Sequence, residues 1–184
     1  MIFMKEFVLK LTRKAVENYV KTGKKLPIPD NYPKEMDEKR GVFVTIHKKG
    51  MLRGCIGLPY PEKPLIEGLL EASCLVCNDP RFPPLQENEL KDIKIEVSVL
   101  TKPQLIDSKP ENYEKMIEIG KHGLILRKGL QGSLFLPQVP VEQCWNFEEY
   151  IENLCLKAGL PPNAWQDPSA KLYKFEAEVF SEGI

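Results

Sequence analysis

Apolar residues recur at helical spacing at the start of the chain. Phe7, Val8, Leu11, Ala15, Tyr19 and Val20 fall on one face and Gly23 follows as a natural stop, so the spacing predicts an amphipathic N-terminal helix. Pro27, Pro29 and Pro33 predict an extended loop. The period then changes. Gly41 to His47 is rich in β-branched and aromatic residues and reads as a strand. Lys48-Lys49-Gly50 reads as a hairpin turn with Gly50 left-handed, and a strand carrying Cys55 follows. Pro59, Pro61 and Pro64 end that strand. Pro64 suits the first turn of a helix that carries Leu65, Ile66, Leu69, Leu70, Leu75 and Val76 and ends near Asn78.

The second half alternates the same two periods. Asp79 to Leu85 holds three prolines and reads as a stiff, shaped loop. Ile93 to Leu100 reads as a long strand. His122–Arg127 and Ser133–Leu136 read as a second hairpin around Gly129 and Gly132. Phe147 to about Ala158 reads as a helix with Ile151, Leu154, Cys155 and Ala158 inward and Gly159 at its end. Tyr173, Phe175, Ala177 and Val179 alternate with Lys174, Glu176 and Glu178, the pattern of one half-buried strand. The class is α+β with largely antiparallel strands.

With 184 residues, the chain is long enough for one domain, or for two small lobes around a shared core. Lys+Arg 26 balances Asp+Glu 26, so bulk charge does not point to a dedicated nucleic-acid binder. The stretch from Lys5 to Lys25 is the exception, with seven basic residues and two acidic ones. It reads as a solvated helix face or as a patch for an anionic partner. Five cysteines, no secretory h-region and no apolar run of membrane-spanning length predict a cytoplasmic protein with reduced thiols.

Chemistry concentrates in Met51-Leu52-Arg53-Gly54-Cys55-Ile56-Gly57-Leu58-Pro59. Strict strand alternation puts Arg53 and Cys55 on one face, with Gly54 and Ile56 on the other. A cation beside a thiol favours the thiolate, the nucleophilic form. A nucleophile also needs a base, and the chain has two histidines. His47 is expected near Met51, roughly 13 Å from Cys55 and too far for direct proton transfer. A Cys–His pair therefore calls on His122 from the second hairpin. The plainer reading makes Cys55 a buried packing residue.

Cys74 and Cys77 form a single C-x-x-C late in an apolar helix, which reads as packing rather than metal or redox chemistry. Cys144 and Cys155 read as packing residues too. Arg81, in the proline-stiffened loop, reads either as a binder of carboxylate or phosphate, or as a brace paired with Asp79 or a backbone carbonyl. Glu96 and Ser98 share a strand face and read as cleft lining or as a wetted polar face. Phe82 reads as a core plug, and Arg127 and Lys128 as strand-end charges. No phosphate loop, dinucleotide fingerprint, zinc-protease helix or nucleophile elbow is present, and no cofactor or metal is expected.

Leu52-Arg53-Gly54-Cys55-Ile56-Gly57 resembles the LRGCIG signature of the AMMECR-one domain family. Asp79–Pro84, Glu96–Leu100, His122-Gly123-Leu124, Leu136–Val139 and Cys155–Leu160 through Trp165 resemble further blocks of that family, in order. Cys74 and Cys77 depart from its pattern, where small residues such as alanine are common. The resemblance implies a two-lobed α+β fold without a defined reaction. It implies a single domain over 1–184, with two packed sub-lobes whose boundary the sequence leaves open. It also implies Memo-like and radical-SAM-like partners in an enzyme system. On that reading Cys55 and His122 are candidate catalytic residues. Arg53, Arg81 and Glu96 are candidate substrate-binding residues, and an anionic small molecule is the expected substrate. The alternatives are a nucleic-acid-binding module and a non-catalytic scaffold or substrate carrier.

Overall fold

The computed structural model describes residues 2–183. In chain order its helices and strands are α1 (Ile2–Thr22), β1 (Val42–Lys48), β2 (Met51–Leu58), α2 (Leu65–Leu75), β3 (Ile93–Leu100), β4 (Gln104–Leu105), α3 (Tyr113–Met116), β5 (Gly123–Lys128), β6 (Gln131–Phe135), α4 (Gln138–Glu142), α5 (Phe147–Lys157), β7 (Lys171–Phe175) and β8 (Ala177–Ser181). The fold is α+β, as the periodicities predict. The chain divides into two compact units, residues 1–100 with 178–184, and residues 101–177.

The first unit is built on a four-stranded sheet of order β2-β1-β3-β8. β1 runs antiparallel to both β2 and β3. Val42, Val44 and Ile46 from β1 and Ile95, Val97 and Val99 from β3 are buried on one face. They pack with Val8, Leu11, Ala15 and Val16 of α1 and with Leu65, Ile66, Leu69 and Leu70 of α2 in one apolar cluster. α1 ends as the sequence predicts: Gly23 has φ +70° and its N–H donates to the Tyr19 carbonyl at 2.7 Å. α2 stops at Leu75 and tightens into a 3₁₀ turn over Val76–Asn78. Leu75 is exposed. Pro64 takes the N-cap rather than the first helical position.

The second unit holds a sheet of order β4-β7-β5-β6, antiparallel throughout. Leu124, Leu126, Tyr150, Ile151, Leu154, Cys155 and Leu172 form its core. α5 carries a capping box, with Asn146 and Glu149 exchanging side-chain and backbone hydrogen bonds at 2.9 Å.

One expectation fails. The alternating run from Tyr173 to Val179 is two strands, β7 and β8, in different sheets. Glu176 is the break: its carbonyl accepts from the Thr101 N–H and its own N–H donates to Thr101 Oγ1, at 2.9 and 2.8 Å.

Candidate functional site

The hairpin β1–β2 turns through Lys49 and Gly50, both left-handed at φ 52° and 80°, which leaves Lys48 opposite Met51. His47 pairs with Leu52, next to Met51. The register then slips. Ile46 pairs with Gly54 and Thr45 with Cys55, so Arg53 is the extra residue of a β-bulge. Uninterrupted pairing would set Cys55 against Val44, and both side chains would point into the core. The bulge reverses this. Gly54 turns inward, where an added Cβ would lie 3.0 Å from the Val76 carbonyl oxygen, so no larger residue fits without movement. Cys55 turns to the opposite face with Thr45 and Glu96, its neighbours across the ladder. Strict alternation between Arg53 and Cys55 does not survive the bulge.

β2 is the sheet's edge, and at Cys55 that edge is closed by the proline-stiffened loop. Asp79 Oδ2 accepts from the Cys55 N–H at 2.9 Å, and Arg81 Nη2 donates to the Cys55 carbonyl at 3.1 Å. Asp79 Oδ1 accepts from Arg81 N and Nε, both at 3.0 Å, and Oδ2 from Nη2 at 2.7 Å. Two side chains thus replace the missing neighbouring strand. The Asp79 side chain is 1% exposed and that of Arg81 56%. The Arg81 hydrogen bond holds the Asp79 carboxyl well below the usual carboxylate range, against the opposing effect of burial. Arg81 is therefore the brace that one of its two sequence readings describes, with an outer edge still open to solvent.

Arg53 is held in the same way. Its Nε and Nη2 donate to the two oxygens of Glu89 at 3.0 and 2.9 Å, a bidentate pair. Glu89 also accepts from Lys48 Nζ at 2.7 Å and from the Gln86 N–H at 3.0 Å. These donors, Arg53 first, bring its carboxyl down to about 2. Phe82 is half-buried rather than a core plug, with the guanidinium carbons of Arg53 and Arg81 6.0 and 5.7 Å from its ring centre.

Cys55 itself is half-buried and unbridged, and its sulfur accepts from Thr45 Oγ1 at 3.2 Å. Glu96 is fixed by Ser181, whose hydroxyl donates to Oε2 at 2.7 Å. Glu96 lines a cavity of about 410 Å³ together with His47, Lys94 and Ser181, while Cys55 is not part of that lining. Ser98, expected to line a cleft or a wetted polar face, is buried. Cys74, Cys77 and Cys155 are buried and Cys144 is exposed. Burial pushes the Cys77 thiol up to about 12 and raises those of Cys74 and Cys155.

His122 belongs to the second unit. Its Nδ1 accepts from the Glu118 N–H at 2.9 Å, so the neutral ring carries its proton on Nε2, 3.7 Å from Glu176 Oε1. Its carbonyl accepts from the Tyr150 hydroxyl at 3.2 Å. Burial, then Lys174, lowers its pKa below 6.5. The fold thus favours the neutral ring, and this contribution is complete above the unfolded value of about 6.5 and lost as pH falls through the folded one. The wild-type chain is expected to lose stability between about pH 7 and 5 more steeply than His122→Asn. Urea midpoints at matched pH check this, and parallel slopes would remove His122 as a source.

Thr45 and Glu89 escape the sequence reading. Glu89 had a faint signal, three residues after Gln86 and ahead of an apolar run, the spacing of a capping box. Thr45 had none, because its position opposite Cys55 depends on the bulge.

These features define an α+β protein with a bulged edge strand carrying a thiol and clamped by an Asp-x-Arg loop. The chain belongs to the AMMECR1 family, which it matches over residues 9–180. It is 48% identical to a protein of Thermococcus onnurineus over 96% of this chain and 89% of that one. It is 49% identical to protein MK0488 of Methanopyrus kandleri over 96% and 87%. The crystal structure of the uncharacterized protein PH0010 from Pyrococcus horikoshii superposes with a TM-score of 0.86 at 46% identity, over 97% of this chain and 91% of that one. Among the described residues no helix is long and apolar enough to cross a membrane, and no three His, Cys, Asp or Glu side chains come together as metal ligands.

Proposed function

We propose that this chain, working as one domain over residues 1–184, is a thiol-bearing component of an enzyme system, with a pocket built on Leu52–Gly57. Its partners in that system are Memo-like and radical-SAM-like proteins, a reading supported by the family resemblance of its motifs. The observation that carries the thiol's role is the bulge at Arg53, which takes Cys55 out of the core and sets it beside the Thr45 hydroxyl. A hydroxyl that donates to sulfur stabilises negative charge there. Arg81 supplies a half-exposed cation held on the same residue, suited to an anionic small molecule. Glu96 lies two strands away on the same face. Arg53 serves the site by bracing the loop through Glu89.

The test is alkylation of the native protein by iodoacetamide between about pH 6 and 9, with a rate for each cysteine from peptide mass spectrometry. Cys55 is expected to react faster than Cys144 although Cys144 is the more exposed, and Cys77 to stay silent. Thr45→Val is expected to slow Cys55 about fivefold, the equivalent of one hydrogen bond of about 1 kcal/mol. A Cys55 slower than Cys144 makes it a packing residue, and a binding or scaffold role then replaces the enzymatic one.

A further inference from the structure

We infer that the first unit binds a small zwitterion, with a primary ammonium at one end and a carboxylate or phosphate at the other, in the cavity beside β3. It rests on the reading above only in placing Glu96 on the face that carries Cys55, and the cavity is lined by none of the residues Leu52–Gly57. The cavity, at about 410 Å³, has the volume of a small-molecule site. Three segments supply polar groups to it: His47 and Lys49 from β1 and its turn, Asp92, Lys94 and Glu96 on or before β3, and the Ser181 hydroxyl from β8, with lysines and carboxylates giving charge of both signs. Glu182 also borders it, but its carboxylate is occupied by the Arg13 guanidinium and the Ile95 N–H and offers no free charge.

The two ends differ in net sign, although Asp92, next to Ile93 and the turn, puts one carboxylate among the lysines. Lys94 stands opposite His47 in the ladder, with Lys49 on the adjoining turn, so two lysines against the one carboxylate of Asp92 leave the hairpin end net positive. Glu96 is two residues further along the same face. Ser181 takes its Oε2 and fixes the carboxylate, leaving Oε1 to accept from an ammonium. Positions two apart on a strand are about 7 Å apart, close to the distance between the charged ends of a short amino acid or an amino-alcohol phosphate. A simple anion would meet Glu96, and a simple amine would meet the lysines. Only a molecule with both charges satisfies both ends. Cys55 is two strands from Glu96, about 10 Å away, so a ligand held here lies near the thiol without needing it for binding.

The experiment is an NMR titration of the ¹⁵N-labelled chain with phosphoethanolamine and, separately, β-alanine, following the amides of Lys94, Glu96 and Ser181. Ethanolamine and inorganic phosphate are the single-charge comparisons. Saturable shifts are expected with at least one zwitterion, with each single-charge compound at least about tenfold weaker. Glu96→Gln and Lys94→Gln, both on the sheet's outer face, are each expected to weaken the zwitterion about tenfold. The zwitterion that binds tighter identifies the anionic end. No saturable shift from either zwitterion up to about 10 mM, or inorganic phosphate binding as well as they do, overturns the proposal. Alkylation of Cys55 in the same samples, without ligand, keeps the two readings apart. A reactive Cys55 with an empty cavity removes the zwitterion site alone, and an inert Cys55 with a filled cavity removes the thiol's role alone.

Discussion

Asp79→Ala is expected to cost about 3 kcal/mol of stability at neutral pH, read as a lower urea midpoint at unchanged slope. The carboxylate accepts four hydrogen bonds, from Cys55 N, Arg81 N, Arg81 Nε and Arg81 Nη2. The cost falls at the low end of that for breaking a buried pair because the partners are unequal. Arg81 is half in solvent and can turn its charge to water, whereas the Cys55 N–H is left without its acceptor. Asp79→Asn keeps the shape but puts a donor where two donors already point, so it recovers only part of the loss. The folded carboxyl is lowered, so its contribution is present above the unfolded value of about 3.9 and is lost as pH falls through the folded one. The gap between wild type and Asp79→Ala should therefore hold from neutral pH to about pH 4 and close only in strong acid. A cost below about 1 kcal/mol at pH 7 would mean the clamp is a surface contact and β2 keeps its edge unaided.

The same site shows where sequence reading reaches its limit. The Lys49-Gly50 turn, the strand from Gly41 and the Gly159 helix stop are local events, and local residue chemistry announces them. The bulge at Arg53 is not local. It follows from the need to place Gly54 against the Val76 carbonyl and Asp79 against the Cys55 N–H, partners more than twenty residues away. Alternation alone therefore pairs Arg53 with Cys55 on one face, and a one-residue slip undoes it. The β7–β8 break fails for the opposite reason. Both strands keep period 2 across Glu176, so the pattern runs on where the backbone changes sheets. Arg81 was legible as brace or anion binder because Asp79 is two residues away. Arg53's pairing leaves no local trace, because its partner, Glu89, lies 36 residues away in sequence.

Glu89→Gln tests that last assignment, with an expected loss of about 2–3 kcal/mol at neutral pH. The carboxylate serves Arg53 through both oxygens and Lys48 through one, and only 12% of its side chain is exposed. A neutral amide leaves two cations facing each other with no charge between them, and it points a donor at one of them. The pH window differs from that of Asp79. With the folded carboxyl at about 2 and the ordinary value at 4.5, the stability Glu89 contributes is complete above about pH 4.5 and disappears as pH falls through about 2. Urea midpoints of the two proteins should run parallel from pH 7 to about 5, converge below 4.5 and meet near 2. The outcome also bears on chemistry. If Glu89→Gln matches wild type at pH 7, the bidentate pair contributes nothing, and Arg53 is available to turn toward a bound anion as its sequence position first implied. If the loss and the convergence are both seen, Arg53 is committed to the loop. The half-exposed guanidinium of Arg81 is then the cation held on Cys55 that remains to meet an anionic ligand.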